Sequence, residues 1–402
     1  MTPGVRLGDR ALFPELRAVA YLNHAAISPI SQPVRAAVDA LLDGYARDPM
    51  AAFMTHLEAR IRLHDQLAGL IGARPNEIAF VPNTSTGVTA IALCFPWAAG
   101  DRVIVFDGEF PANVTPWQRA AQVFGLELVM LPGHEYRIDP ERALARLARA
   151  LDAGVRLVAI SAVQFQTGFR VPLARIGALC AHHGAQLFVD GAQACGAVPV
   201  DVAAAHVDYL AAGGQKWLMG SEGAGFLYVR EDRARALRPA IASWLSHEGA
   251  LAFLLEGKHQ LRYDRPIRSQ IDFLEGGTCN VTGYAALAAS LAILTSLGPQ
   301  HIFDHADHYL DRLESALVKQ GFHSERAADR EYRSCILSVT PPDGAPDAVT
   351  LAHALGVRGI VCSSPDGYLR FAPQWPNSMD EIDAVASAIE DICRVDTARQ
   401  RL

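Results

Sequence analysis

Two stretches decide the reading: Gln186-Leu-Phe-Val-Asp-Gly-Ala-Gln193 and, soon after it, Tyr209-Leu-Ala-Ala-Gly-Gly-Gln-Lys216-Trp217. Each is a short apolar run that ends in small residues beside one chemically able group. A strand that stops at Asp190, or just before Lys216, delivers that side chain to its carboxyl end, where open α/β sheets bind ligands. Plainer readings exist for both: Asp190 as a turn cap, Lys216 as a snorkelling surface lysine. Lysine is scarce here, however, occurring only as Lys216, Lys258 and Lys319. Lys216 sits among Gly, Trp, Leu and Met, which desolvate an amine. Desolvation lowers an ammonium pKa from about 10.4 and makes the amine a usable base and nucleophile.

Outward from these stretches, apolar runs alternate with amphipathic ones. The pattern predicts strands at 103–106, 126–131, 157–161, 186–190, 209–211 and 225–229, and helices at 113–124, 140–151 and 173–183. Asp139-Pro140 is a cap followed by an N1 proline, and Gly125, Gly154 and Gly184 mark helix ends. This rhythm argues for an α/β fold with a mostly parallel sheet covered on both faces. Beyond about residue 285 an Ala/Leu helix leads to a helix at 304–319, strands at 335–339 and 368–371, and a last helix at 380–393. The division expected is an N-terminal segment, 1–20, packing with the small domain; a large domain, 21–285; and a smaller α+β domain, 286–402.

Composition narrows the function classes. The chain has 402 residues, half of them hydrophobic, and a net charge of −7. That suits two sizeable cores, and it offers no basic excess for nucleic acid or an anionic membrane surface. The charge-free stretch 276–303 has an apolar heart at 284–294, about half the ~20 residues a membrane span needs. We read it as a buried helix. Seven cysteines without a CxxC pair suggest free thiols in a reducing, cytoplasmic setting. His301, His305 and His308 share a helical face with Asp304 and Asp307, which reads as a polar surface, so no metal site is assigned.

The usual phosphate loops are absent: neither GxGxxG nor GxxxxGK[ST] occurs. A third segment, Pro82-Asn-Thr-Ser-Thr-Gly87, offers hydroxyls and backbone N–H groups at a helix start, which is an anion site or simply a cap. An amine, a carboxylate and an anion cradle are three demands of one cofactor, pyridoxal 5′-phosphate. It needs an amine for a Schiff base, an acid beside its pyridine nitrogen, and a seat for its phosphate.

The sequence resembles the class V aminotransferases among the fold-type I pyridoxal-phosphate enzymes, a group that includes cysteine desulfurases and isopenicillin N epimerase-like proteins. The resemblance runs from Tyr21-Leu-Asn-His-Ala-Ala26 to Arg370. It is carried by Val189-Asp-Gly-Ala-Gln193, Gly214-Gln-Lys-Trp-Leu218, Gly225-Phe-Leu-Tyr-Val-Arg230 and Glu275-Gly-Gly-Thr-Cys-Asn280. It implies a large domain with a mostly parallel seven-stranded-type sheet. It also implies catalytic Lys216, carrying the Schiff base, and Asp190, beside the pyridine nitrogen. Gln193 would reach the phenolic oxygen, Thr84 and Ser85 the phosphate, and Thr278 the phosphate in a partner subunit. The last role implies a homodimer with shared active sites. Arg370 would hold the substrate carboxylate, and Asn23 or His24 would face the substrate.

Departures matter for the reaction. Phe110 stands where desulfurases carry a stacking histidine, so it can stack but not titrate. Gln215 replaces a common histidine, and Gly213 replaces a serine that binds phosphate in some relatives. An asparagine of some relatives falls near Phe165 here. Cys362 precedes Arg370 by eight residues, on a loop too short for a sweeping desulfurase thiol. The expectation is an enzyme acting at Cα of an amino acid, isopenicillin N epimerase-like, as an epimerase or racemase or a C–S or β-lyase. The alternatives are an aminotransferase, a cysteine desulfurase, or a non-catalytic protein of the same fold.

Overall fold

Alternation along the central strands sorts their side chains onto two cores. The computed structural model describes residues 4–400, with side chains from 4 to 394. In chain order β1 (Ala20–Tyr21) is followed by two long helices, α1 (Gln32–Arg47) and α2 (Pro49–Ile71), then β2 (Ile78–Val81) and α3 (Thr84–Cys94). Next come β3 (Arg102–Phe106), β4 (Glu127–Leu131), β5 (Val155–Ser161), β6 (Gln186–Asp190), β7 (Tyr209–Gly213) and β8 (Gly225–Val229). The helices Thr115–Phe124, Pro140–Leu151 and Leu173–His182 connect the middle strands.

Strands β2 to β8 form one seven-stranded sheet in the order β2-β8-β7-β6-β5-β3-β4. Pairing is parallel from β4 through β7, while β8 lies antiparallel between β7 and β2. Leu187, Val189, Leu210 and Ala212 enter one core with α2 and the helix Leu173–His182. Phe188, Tyr209 and Ala211 enter the other, with α3 and Trp117. The period of two thus buries both faces, as a parallel sheet requires.

The predicted helix at 113–124 is divided. A single turn, Pro111–Asn113, precedes the helix Thr115–Phe124. Pro116 has no N–H to donate to a turn running through from residue 112. Helices α1 and α2, and the short strand β2, lie outside the predicted elements.

The smaller C-terminal part contains β9 (His323–Ser324), β10 (Leu337–Thr340), β11 (Ile360–Val361) and β12 (Leu369–Phe371), with β10 central to an antiparallel trio. The helices Pro299–Lys319 and Ala348–Val357 and the helix Glu381–Gln400 pack on it. The N-terminal segment joins this part: β1 pairs in parallel with β11, Gly8 N–H donates to Trp375 O at 2.7 Å, and Phe13 packs on Trp375. Residue 285 falls inside the helix Val281–Leu297, whose Leu287, Leu291 and Leu294 belong to the large-sheet core. The core of the small part takes its C-terminal members from Tyr309 onward, and Ala20 and Leu22 join it from the N-terminal segment.

The apolar heart of the charge-free stretch, 284–294, is largely buried as expected, in the helix Val281–Leu297, and the chain bends by 77° before the next helix. Among the described residues no single helix is long and apolar enough to cross a membrane. His305 Nε2 lies 2.9 Å from Asn377 O, and Asp304 and Asp307 pair with Arg330, so this face is taken up by protein contacts.

Candidate active site

The carboxyl ends of β5, β6 and β7 open into a cavity of about 180 Å³. Its wall includes Thr84, Ser85, Phe110, Asp190, Gln193, Gln215 and Lys216. The topology thus brings together seven residues drawn from four separate stretches of the sequence. Parallel strands make this possible, because neighbouring strands end on the same side of the sheet.

Asp190 closes β6 and is 5% exposed. Its Oδ1 accepts the Ala192 N–H at 2.9 Å. Lys216 follows β7, with Nζ 5.5 Å from the centre of the Phe110 ring. Burial pushes the Asp190 carboxyl up, against the Ala192 hydrogen bond and the Lys216 charge. Burial likewise pushes the Lys216 ammonium down, with Arg370 adding to the effect and Asp190 opposing it. Burial is therefore the larger influence on both groups and opposes the charged form of each.

Helix α3 aims its N-terminus into the cavity. Asn83 caps it by accepting the Thr86 N–H at 2.9 Å. The N–H groups of Thr84 and Ser85 stay outside the helical ladder and face the space where an anion gains most from them. Gly87 lets this happen: a Cβ there would lie 2.7 Å from the Ala211 Cβ, so α3 rests directly on β7. Gly213 has the same character. A Cβ there would lie 2.6 Å from Gln215 Oε1, so the Gln215 amide occupies the place a serine side chain would take.

Gln193 is 6% exposed and held at both ends of its amide. Its Oε1 accepts the Trp217 indole N–H at 2.7 Å, and its Nε2 donates to Ala25 O at 3.0 Å. One amide hydrogen remains for a ligand.

Arg370, on β12, comes from the small domain and is 5% exposed. Its Nε donates to Ser363 Oγ at 3.0 Å and its Nη1 to Phe165 O at 2.6 Å. Among the described residues its Nη2 makes no hydrogen bond and no carboxylate pairs with the guanidinium. Burial pushes this guanidinium down to about 10. A buried cation without a counter-ion is costly, and an incoming carboxylate removes that cost.

The other predicted substrate residues lie elsewhere. His24 is 1% exposed and does not line the cavity. Its Nδ1 lies 2.7 Å from Ser28 Oγ, and that hydroxyl donates to Lys216 O at 2.6 Å. Burial pushes His24 down to about 3, so it is neutral. With the Ser28 hydrogen committed to Lys216, Nδ1 must carry the proton it donates to Ser28. His24 therefore braces the Lys216 backbone through Ser28. Asn23 bridges to Ala372 near Arg370, and its buried Oδ1 has no hydrogen-bond partner.

Thr278 is exposed and lies outside this chain's cavity. Its block is anchored by Glu275, which accepts from Arg60, from His64 Nε2 at 3.0 Å and from the Phe80 N–H at 2.9 Å. Cys279 Sγ lies 3.6 Å from His56 Nε2, and burial raises its thiol pKa. Cys362 packs against the small-domain core, and burial pushes it up to about 12.

Two site residues escaped sequence reading. Glu109 is 8% exposed and accepts the Ser161 N–H at 2.8 Å, the Ser161 hydroxyl, and Asn113 Nδ2 at 3.1 Å. Burial pushes it up to about 7, and the nearby Asp190 charge adds to the rise. Ser161, the register partner of Asp190, lines the cavity. Glu109 sits beside Phe110 in sequence, but a charged residue in a polar loop carries no sign of burial.

This donor set fits pyridoxal 5′-phosphate. A desolvated amine and a buried carboxylate without a cation at hydrogen-bonding distance face one space, with a helix N-terminus and two hydroxyls at its side. The profile of the family described as Aminotransferase class-V matches residues 20–367. An isopenicillin N epimerase of Amycolatopsis lactamdurans is 33% identical, over 94% of this chain and 96% of its own. An uncharacterised aminotransferase, YcbU of Bacillus subtilis, is 27% identical over the same shares. Among solved structures, a cysteine desulfurase of Thermococcus onnurineus superposes with a TM-score of 0.84 at 23% identity, covering 98% of this chain and 99% of that one. The chain belongs to the aminotransferase class-V family.

Proposed function

We propose that this protein is a pyridoxal-phosphate enzyme that takes the Cα proton from an α-amino acid through Lys216. The outcome is loss of a β-substituent or return of the proton on the opposite face. One observation carries the reading: the desolvated Lys216 shares one cavity wall with the buried carboxylate Asp190 and feels the charge of the buried Arg370 guanidinium. That pattern suits a ligand with a carboxylate of its own and an electron-poor ring.

Lys216 would hold the coenzyme's aldehyde carbon, Asp190 its ring nitrogen and Gln193 its phenolic oxygen. Thr84, Ser85 and Gln215 would hold its phosphate, and Phe110 would cover the ring. When bound, the coenzyme supplies a sink for the electrons left at Cα. Arg370 grips the substrate carboxylate through its free Nη2, which fixes the amino acid's orientation. The Lys216 amine, whose charged form burial disfavours, accepts the Cα proton on Nζ. Asp190 keeps negative charge opposite the ring nitrogen, and the Ala192 N–H holds that carboxylate in place.

Lys216 is the one base with a lowered pKa on this chain's cavity wall, among the described residues. A single base suffices for β-elimination, where the proton can pass to the leaving group. The likeness to an isopenicillin N epimerase supports epimerisation as the second reading. Desulfuration is disfavoured, since the Cys362 thiol is packed away and held protonated. Incubation with L- and D-amino acids in deuterated water separates the outcomes by product mass and handedness. We expect solvent deuterium in wild type, at Cα where the proton returns or at Cβ of an eliminated product, and none with Lys216→Ala. Deuteration that survives Lys216→Ala overturns the assignment, and a keto acid with matching amine on the coenzyme moves it to transamination.

We further propose a homodimer in a cytoplasmic, reducing setting. The exposed position of Thr278 supports a role toward a second copy. Exposed Trp244, Phe253, Leu255 and Tyr263 mark an apolar surface for it to cover, and among the described residues Cys94, Cys180, Cys195, Cys279, Cys335 and Cys362 form no disulfide.

A further inference from the structure

The segment after β5 does more than close the cavity. Phe165 presents its carbonyl to Arg370 Nη1 at 2.6 Å and its ring to Phe110, edge-on, with centres 5.3 Å apart and planes at 85°. One residue therefore touches both the carboxylate-binding guanidinium and the aromatic wall beside Lys216. The next residue adds a second tie: Gln166 Nε2 donates to Asp366 Oδ2 at 2.7 Å, on the loop that leads to Arg370. Ser338 Oγ also donates to Gln166 O. The Phe165 ring is thus carried on a braced loop at a set place relative to Arg370.

Arg370 does not itself line the cavity, but Phe165, which does, joins its guanidinium to Phe110, so we place the side chain of an amino acid held on Arg370 along this wall. Ala112, Val163, Phe110 and Phe165 supply its apolar surface. Among the described residues the only charged groups lining the cavity are Asp190 and Lys216, both committed to the coenzyme. The Asp366 carboxylate accepts from Gln166, on the same loop connection. No group on this chain's wall neutralises a charged side chain, and burying an unpaired charge is strongly unfavourable.

We propose that Phe165 is a specificity-determining residue and that the substrates are α-amino acids with neutral, apolar or thioether side chains. The inference rests on the coenzyme reading above. The contact to Arg370 comes from the Phe165 backbone, so changing its side chain leaves carboxylate binding intact. That separates side-chain selection from the general grip on amino acids.

The test is a titration of coenzyme-loaded protein, following the shift of its visible absorbance band. Methionine and glutamate are the probes, because they are close in length and differ in charge; alanine is the control. In wild type, methionine should half-saturate the shift at a concentration at least roughly tenfold lower than glutamate. Phe165→Ala should shrink that ratio severalfold while alanine binds as before. Phe165→Leu, which keeps apolar volume and is the gentler change, should preserve it. The proposal is overturned if glutamate saturates as readily as methionine, or if Phe165→Ala leaves the ratio unchanged. A protein that forms no coenzyme band overturns the coenzyme reading too, whereas an intact band with no discrimination overturns this proposal alone.

Discussion

Glu109 shows how one buried carboxyl ties the site to pH. Its folded pKa, about 7, lies above the ordinary carboxyl value of 4.5. Below the unfolded value both states hold the proton and the group has no effect. As pH rises from about 4.5 to about 7, the unfolded chain releases the proton first, so stability falls across that window by a few kcal/mol at most. Glu109→Gln cannot release a proton there. Melting curves of the apoprotein from pH 5 to 8 should therefore show wild type losing stability relative to Glu109→Gln as pH rises; parallel curves would refute this. Residues of this kind were the hardest to foresee. Asp190 and Lys216 announce themselves because an apolar run leads straight to them. Glu109 gains its meaning from Ser161, 52 positions away, which only the β3–β5 pairing brings near. His24 was readable as part of the site but not in its role, since its partner Ser28 connects to Lys216 across 188 positions.

At the scale of elements, the contact of α3 with β7 sets where the proposed phosphate seat lies. Gly87 allows it, because an added Cβ would come within 2.7 Å of Ala211 Cβ. Helix propensity alone favours alanine over glycine by about 1 kcal/mol. We expect the opposite in this protein. Gly87→Ala should lower stability by about 1–3 kcal/mol, as overpacked cores do, and weaken coenzyme binding by moving Thr84 and Ser85 off the cavity. Thermal melts and coenzyme titration check both effects. A higher melting temperature with unchanged coenzyme affinity would show that the helix is not seated as described. The strands β6 and β8 were legible to the residue, because continuous apolar runs bounded by polar or glycine residues leave little choice. Helices α1 and α2 were not, since α1 buries only Val34 and shows its polar and apolar residues to the surface alike.

For the whole molecule, the decisive question is whether a second copy completes each site. Thr278→Asp would repel a phosphate across the interface, and Lys216→Ala removes the base within a chain. If Thr278 serves the partner's site, mixing the two inactive variants creates hybrids with one intact site, so a hybrid should recover roughly half the wild-type rate. Sedimentation of wild type should report a dimer. A monomer, or hybrids without recovery, would remove the shared-site arrangement. The linear chain already determined the α/β class, the coenzyme chemistry and most of the residues around the amine. Those depend on local order: apolar runs that must be strands, and a lysine or aspartate at a strand's end. The strand order, the antiparallel β8, the burial of Glu109, the bracing of Lys216 by His24 and Ser28, and the unpaired state of Arg370 were settled only in three dimensions. Each depends on which distant segments meet, and burial, the physical cause of every shifted proton here, exists only once they have met.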